Sequence, residues 1–107
     1  MKATAWKNGR HDTLGVEYGF RISSTDRDRH FDRDWSEVRV ELPRKSGVAT
    51  VVVNIDKDSF WYGSCRELID QGIGTWLTEQ GYAPWPKGQP PHFELELVRP
   101  GVFIVRE

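Results

Sequence analysis

From Glu37 to Leu42 the chain alternates without a break: Val38, Val40 and Leu42 project to one side, Glu37, Arg39 and Glu41 to the other. Successive side chains of a strand point to opposite faces, so one face of this segment is expected to be buried and the other wet. Pro43 to Gly47 supplies turn residues, and Val48 to Ile55 returns as a second strand rich in β-branched side chains. A further hairpin lies near the end of the sequence, pairing His92–Val98 with Val102–Arg106 around Arg99, Pro100 and Gly101. There Phe93, Leu95 and Leu97 are expected to face the core, with Glu94 and Glu96 outward. Tight hairpins join antiparallel neighbours, and no strand here is followed by a helix long enough for a repeated parallel crossover.

The remaining segments fit the same plan. Leu14 to Ile22 carries Val16, Tyr18, Phe20 and Ile22 at period two and reads as a strand. Ser23, Ser24 and Thr25 end it and are positioned to cap a short helical turn running through Phe31. From Ile73 the period changes: Ile73, Trp76 and Leu77 stand at i, i+3 and i+4, and Gly81 followed by Pro84 stops the helix, giving a span from about Ile73 to Gln80. Ser59-Phe60-Trp61 reads as an aromatic strand end and Tyr62 to Arg66 as a polar arm. Residues 1–12 are polar and poorly patterned, a loose lead-in that Trp6 would pin to the body. The expected fold is α+β and mostly antiparallel β, an open pseudobarrel of about five to seven strands with one or two short helices. Residues 1–107 are read as a single domain.

Composition excludes whole classes of function. Fifteen basic residues against 16 acidic ones give a net charge of −1. Such a balance does not draw the whole molecule to nucleic acid or anionic lipid, so any polyanion site must be a local patch. One cysteine forbids an internal disulfide and fits a reducing compartment. MKATAWKNGRHD lacks the apolar run of a signal peptide, and nothing approaches the ~20 apolar residues of a membrane helix. A cytoplasmic protein without membrane contact is expected.

No residue set points to a reaction. Cys65 sits between Ser64 and Arg66, yet His11, His30 and His92 are all remote in sequence and no local cysteine-enzyme signature is present, so Cys65 reads as a small filler. No His-x-x-x-His or Cys-x-x-Cys spacing suggests a metal, and no cofactor motif occurs: Gly72-Ile73-Gly74 is neither a phosphate loop nor a dinucleotide fingerprint, and its glycines suit close helix-to-sheet contact. Nuclease cores commonly place a carboxylate two residues before a lysine, which none of the lysines here has. The densest charge lies in Asp26 to Asp34, DRDRHFDRD. Either its aspartates and arginines pair on a solvated turn, or its arginines reach phosphates and base edges while the aspartates hold them; on charge alone the solvated turn is favoured. Trp85-Pro86-Lys87-Gly88-Gln89-Pro90-Pro91 has two readings as well: an exposed polyproline ligand, or a stiff connection whose Trp85 packs back onto the barrel. Burying an indole contributes roughly 2–3 kcal/mol, which favours the second.

Taken in order, VRVELPRKSGVATVVVNI, SFWYGSC, GTWLTEQGYAPWPKG and HFELELVRPGVFIV, with FRISSTD ahead of them, resemble the DNA-binding pseudobarrel superfamily. The pattern is most similar to the DNA-binding domain of plant auxin- and abscisic-acid-response transcription factors, and related domains occur in certain restriction endonucleases. The match rests on Phe60-Trp61 with the arm Tyr62 to Cys65, on Trp76, Glu79 and Gly81 of the helix, and on Phe93 and Phe103 of the closing hairpin. The resemblance implies two arms that clamp double-stranded DNA, here Ser24 to Arg33 and Tyr62 to Arg66. Arg27, Arg29, Arg33, Ser64 and Arg66 would be the contacts. The first reading is accordingly a small non-enzymatic binding module with DNA as ligand. The second is a protein-interaction or accessory subunit presenting Trp85, Pro86, Pro90 and Pro91, and a small hydrolase or nuclease built on Asp26, His30 and Asp56 ranks below both.

Overall fold

The computed structural model describes residues 1–63 and 66–107. Seven strands form one sheet: β1 (Lys2–Asn8), β2 (Glu17–Arg21), β3 (Glu37–Arg44), β4 (Gly47–Asn54), β5 (Glu67–Ile69), β6 (His92–Arg99) and β7 (Val102–Arg106). Three short helices join them: α1 (Ser24–His30) between β2 and β3, α2 (Asp58–Trp61) between β4 and β5, and α3 (Gln71–Glu79) between β5 and β6. The spatial order is β4-β3-β7-β6-β1-β2-β5, and every pairing is antiparallel except β3 with β7. The sheet curls until its two edge strands, β4 and β5, approach each other, which makes the expected open pseudobarrel.

Register puts the apolar residues on one face. Val38 lies opposite Val53, Val40 opposite both Val51 and Phe103, and Phe20 opposite Ala5 and Leu68. All of these are buried. The alternation that exposes Glu37 and Arg39 on β3 is thus the alternation that fills the barrel. Helix α3 then covers the interior. Asp70 caps it by accepting the Gly72 N–H at 2.8 Å, and Ile73, Trp76 and Leu77 point inward as their spacing predicts. Trp76 meets Phe20, Phe93 and Tyr82 ring to ring, and its indole N–H donates to the Pro43 carbonyl at 2.7 Å. Both helix glycines are needed for this seat. A Cβ on Gly74 would come within 2.8 Å of the Tyr18 ring, and one on Gly72 within 2.4 Å of a Val51 methyl.

Four expectations are corrected. Residues 1–12 are not a loose lead-in, because Lys2–Asn8 form an internal strand between β6 and β2. Its inward residues are Ala3 and Ala5, too small to give an apolar signal but of the size that fits beside Phe20 and Phe93. Phe60 and Trp61 do not end a strand; they lie on the one-turn helix α2, where the Trp61 indole N–H donates to the Ile55 carbonyl at 3.0 Å. The polar arm leads into β5, a three-residue strand too short to show a period. Leu97 faces outward enough to stand 40% exposed, where a register shift between Leu97 and Arg99 turns the end of β6. The helix itself starts two residues earlier than expected, at Gln71, because Asp70 supplies the cap.

Trp76 is 1% exposed and its indole N–H is held by the Pro43 carbonyl, so Trp76→Ala should lower stability by about 3–5 kcal/mol in urea titration. A loss below about 1 kcal/mol would mean that the barrel does not depend on α3.

Candidate functional site

The two arms come together. In the first, Ser23 accepts the Asp26 N–H at 3.1 Å and starts α1, whose inward residue is Arg27. Arg27 is only 9% exposed: one guanidinium nitrogen donates to the Phe60 carbonyl at 2.9 Å and Nε donates to Asp28 at 3.0 Å. Phe31 follows it into the core, stacked on Phe103 with ring centroids 4.8 Å apart and edge-on to Phe60. In the second arm Phe60 and Trp61 turn inward while Tyr62 stands 72% exposed. Arg33 bridges the two. Its guanidinium lies 5.1 Å from the Trp61 ring centroid and 4.4 Å from that of Tyr62, and it donates to the Tyr62 hydroxyl. A flat, weakly hydrated guanidinium favours such aromatic faces. Arg66 closes the joint, its Nε donating to the Ile22 carbonyl at 3.2 Å while Ile22 N–H donates to the Arg66 carbonyl.

The candidate residues therefore divide by role. Arg27 is an anchor that ties α1 to α2, its charge directed into the protein. Arg66 is half-buried and holds the root of the second arm. Arg29 and Arg33 are exposed. Ser64, and Cys65 beside it, lie outside the described residues. The aspartates of the first arm serve the turn: Asp26 faces His30 at 4.0 Å, Asp28 pairs with Arg27, and Asp32 accepts the Asp34 N–H at 2.8 Å.

The proline segment is arranged inward. The Trp85 ring is half-buried, edge-on to His11 with centroids 4.5 Å apart and to Tyr18 at 5.9 Å. Pro86 is exposed, but Pro90 and Pro91 are half-buried, and the Pro91 carbonyl accepts the Ala5 N–H at 2.9 Å. The segment thereby extends the sheet beside β1 rather than offering a free polyproline ligand.

His11 was invisible as a structural residue because its partners are distant in sequence. Its Nε2 accepts the Trp85 backbone N–H at 3.3 Å, so the ring proton sits on Nδ1 and points to the Tyr18 hydroxyl at 2.8 Å. Burial, and then the Lys7 charge, hold the imidazole below its usual 6.5, with Asp12 acting in the opposite sense, and burial raises the Tyr18 phenol. Tyr18 also lines a surface cleft of about 670 Å³ between the β1–β2 loop and α3. Its three carboxylates are already engaged: Glu17 with Asn8, Asp70 with the α3 cap and Glu79 with Arg44. Tyr18, Thr75 and Thr78, also in its lining, are hydrogen-bonded to His11 and to carbonyls of α3. Among the described residues no three His, Cys, Asp or Glu side chains are grouped to hold a metal, and no helix is long and apolar enough to cross a membrane. No protein-family model, curated protein or solved structure matches the chain.

Two outcomes follow. Arg27→Met leaves the Phe60 carbonyl without its donor and should cost about 1–3 kcal/mol, measured by urea unfolding. For His11 the folded state binds its proton less readily than the unfolded chain, so stability should fall as pH drops from 6.5 downward through the lowered value. His11→Gln should flatten that slope between pH 6.5 and 5; an unchanged slope would show that other groups cause it.

Proposed function

We propose that this protein is a non-enzymatic binding module whose two arms meet double-stranded DNA. The observation that carries the reading is the joint itself. Arg33 of the first arm lies on Trp61 and Tyr62 of the second, making one face from segments almost thirty residues apart, as a two-arm clamp requires. Arg29 and Arg33 are exposed to supply phosphate or guanine-edge contacts, with Arg66 at the root of the second arm. Tyr62, exposed and stacked, adds a flat surface that suits a groove wall. Three aspartates in the first arm (Asp26, Asp28 and Asp32), with Asp34 just after it and Asp56 and Asp58 ahead of the second arm in sequence, limit the net attraction, so affinity should be modest and confined to low salt. The inward packing of Trp85 gives the protein-interaction reading through that ring no comparable support.

Electrophoretic titration with mixed duplexes tests this. Binding at ~50 mM salt is expected, with a slope of log affinity against log salt of about −3 for three phosphate contacts. Arg33→Ala should weaken binding several-fold and reduce the slope by about 1. Absence of binding at ~50 mM salt would sink the proposal, because phosphate contacts are strongest there.

A further inference from the structure

Strand β4 is one end of the sheet, paired with β3 along its whole length from Asn54, opposite Glu37, to Gly47, opposite Arg44. The turn between them holds two residues, Lys45 and Ser46. In a two-residue hairpin the flanking pair exchanges backbone hydrogen bonds, and bonded and non-bonded pairs then alternate. Gly47, Ala49, Val51 and Val53 therefore bond to β3, and the N–H and C=O groups of Val48, Thr50 and Val52 point away from it. Arg39 marks the same parity. It lies opposite Val52, and its N–H turns to the other side, donating to the Gly101 carbonyl at 2.8 Å. Helix α3 closes the seam by seating Gly72 on the Val51 side chain. Among the described residues nothing hydrogen-bonds the backbone of Val48, Thr50 or Val52 on their free side.

An edge of this length is usually blunted by a charge, a proline or a bulge. GVATVVVN contains no charge and no proline, and its pairing is unbroken. Val48 and Val52 are 54% and 45% exposed. The charges lie at its two ends and differ in sign: Lys45 in the turn before the strand, Asp56 just beyond it. Both are without an ion pair among the described residues, whereas Arg44 is held by Glu79. An antiparallel copy of the same strand brings each end to its opposite.

We propose that β4 is a self-association edge, at which two copies pair antiparallel about a two-fold axis through Thr50. Thr50 lies opposite Thr50 of the partner subunit and Val48 opposite Val52 of the partner subunit, forming about six interchain backbone hydrogen bonds. The same register sets the Lys45 turn of each copy beside Asp56 of the partner subunit. The contact is isologous, so it closes as a dimer and leaves no further long edge; β5, the other end of the joined sheet, is only three residues long.

The test is mass by analytical ultracentrifugation across a concentration series up to about 0.2 mM, a range that covers weak dimers. The expected mass is twice the 12.4 kDa chain at the upper end. Thr50→Pro removes an edge N–H that β3 does not use, so this variant should keep the wild-type circular dichroism spectrum and sediment as a monomer. Lys45→Asp and Asp56→Lys should each weaken dimerisation at least tenfold, and the double variant should restore it. This set also holds the test open should Thr50→Pro not fold. A wild-type monomer throughout the series, a folded Thr50→Pro dimer, or a double variant no better than its parents would each overturn the proposal.

Discussion

A sheet that curls on itself has a seam, and the architecture here depends on how that seam is held. Strands β4 and β5 approach without pairing, so the join falls to α3. Trp76 spans it by packing on Phe20 and Phe93 of the distant strands and donating to the Pro43 carbonyl on β3. Gly72 and Gly74 let the helix come close enough for that reach. A methyl at either would need Val51 or Tyr18 to yield space inside a close-packed interior.

The same geometry explains why the arms meet. Helices α1 and α2 each span a long connection, one leading to β3 and the other to β5. Phe31 and Phe60, inserted from these helices against each other, draw the two connections together, and the buried Arg27 ties them with a hydrogen bond to a carbonyl. A guanidinium used in this way is lost to any ligand, but it is what holds Arg29 and Arg33 at a defined place. Of the acidic residues beside them, Asp28 pairs with Arg27 and Asp32 accepts a backbone N–H within the turn.

Local pattern exposed the large elements. The Glu37–Leu42 alternation, the returning valines and the closing hairpin each carry apolar side chains big enough to be read, and Ile73, Trp76 and Leu77 mark the face of α3. Strand β1 escaped because its buried side chains are alanines, and β5 because three residues cannot display a period. The arm residues were legible as types but not as roles: nothing in DRDRHFDRD distinguishes the arginine that turns inward from the two that stay out. His11, whose contacts with Tyr18 and Trp85 span seven and 74 residues, had no local signal of any kind.

What the chain's sequence determined by itself is its alternation, hence which faces of the strands are wet, which turns are tight and that neighbouring strands run antiparallel. These follow from side-chain period and turn chemistry within a few residues. Tertiary structure alone decided that the N-terminal segment is an internal strand, that β3 lies parallel to β7, that Arg27 is an anchor while Arg33 lies on the second arm, and that β4 remains an edge. Each of these depends on which distant groups come into contact, and a contact between residues tens of positions apart leaves no periodic trace in either of them.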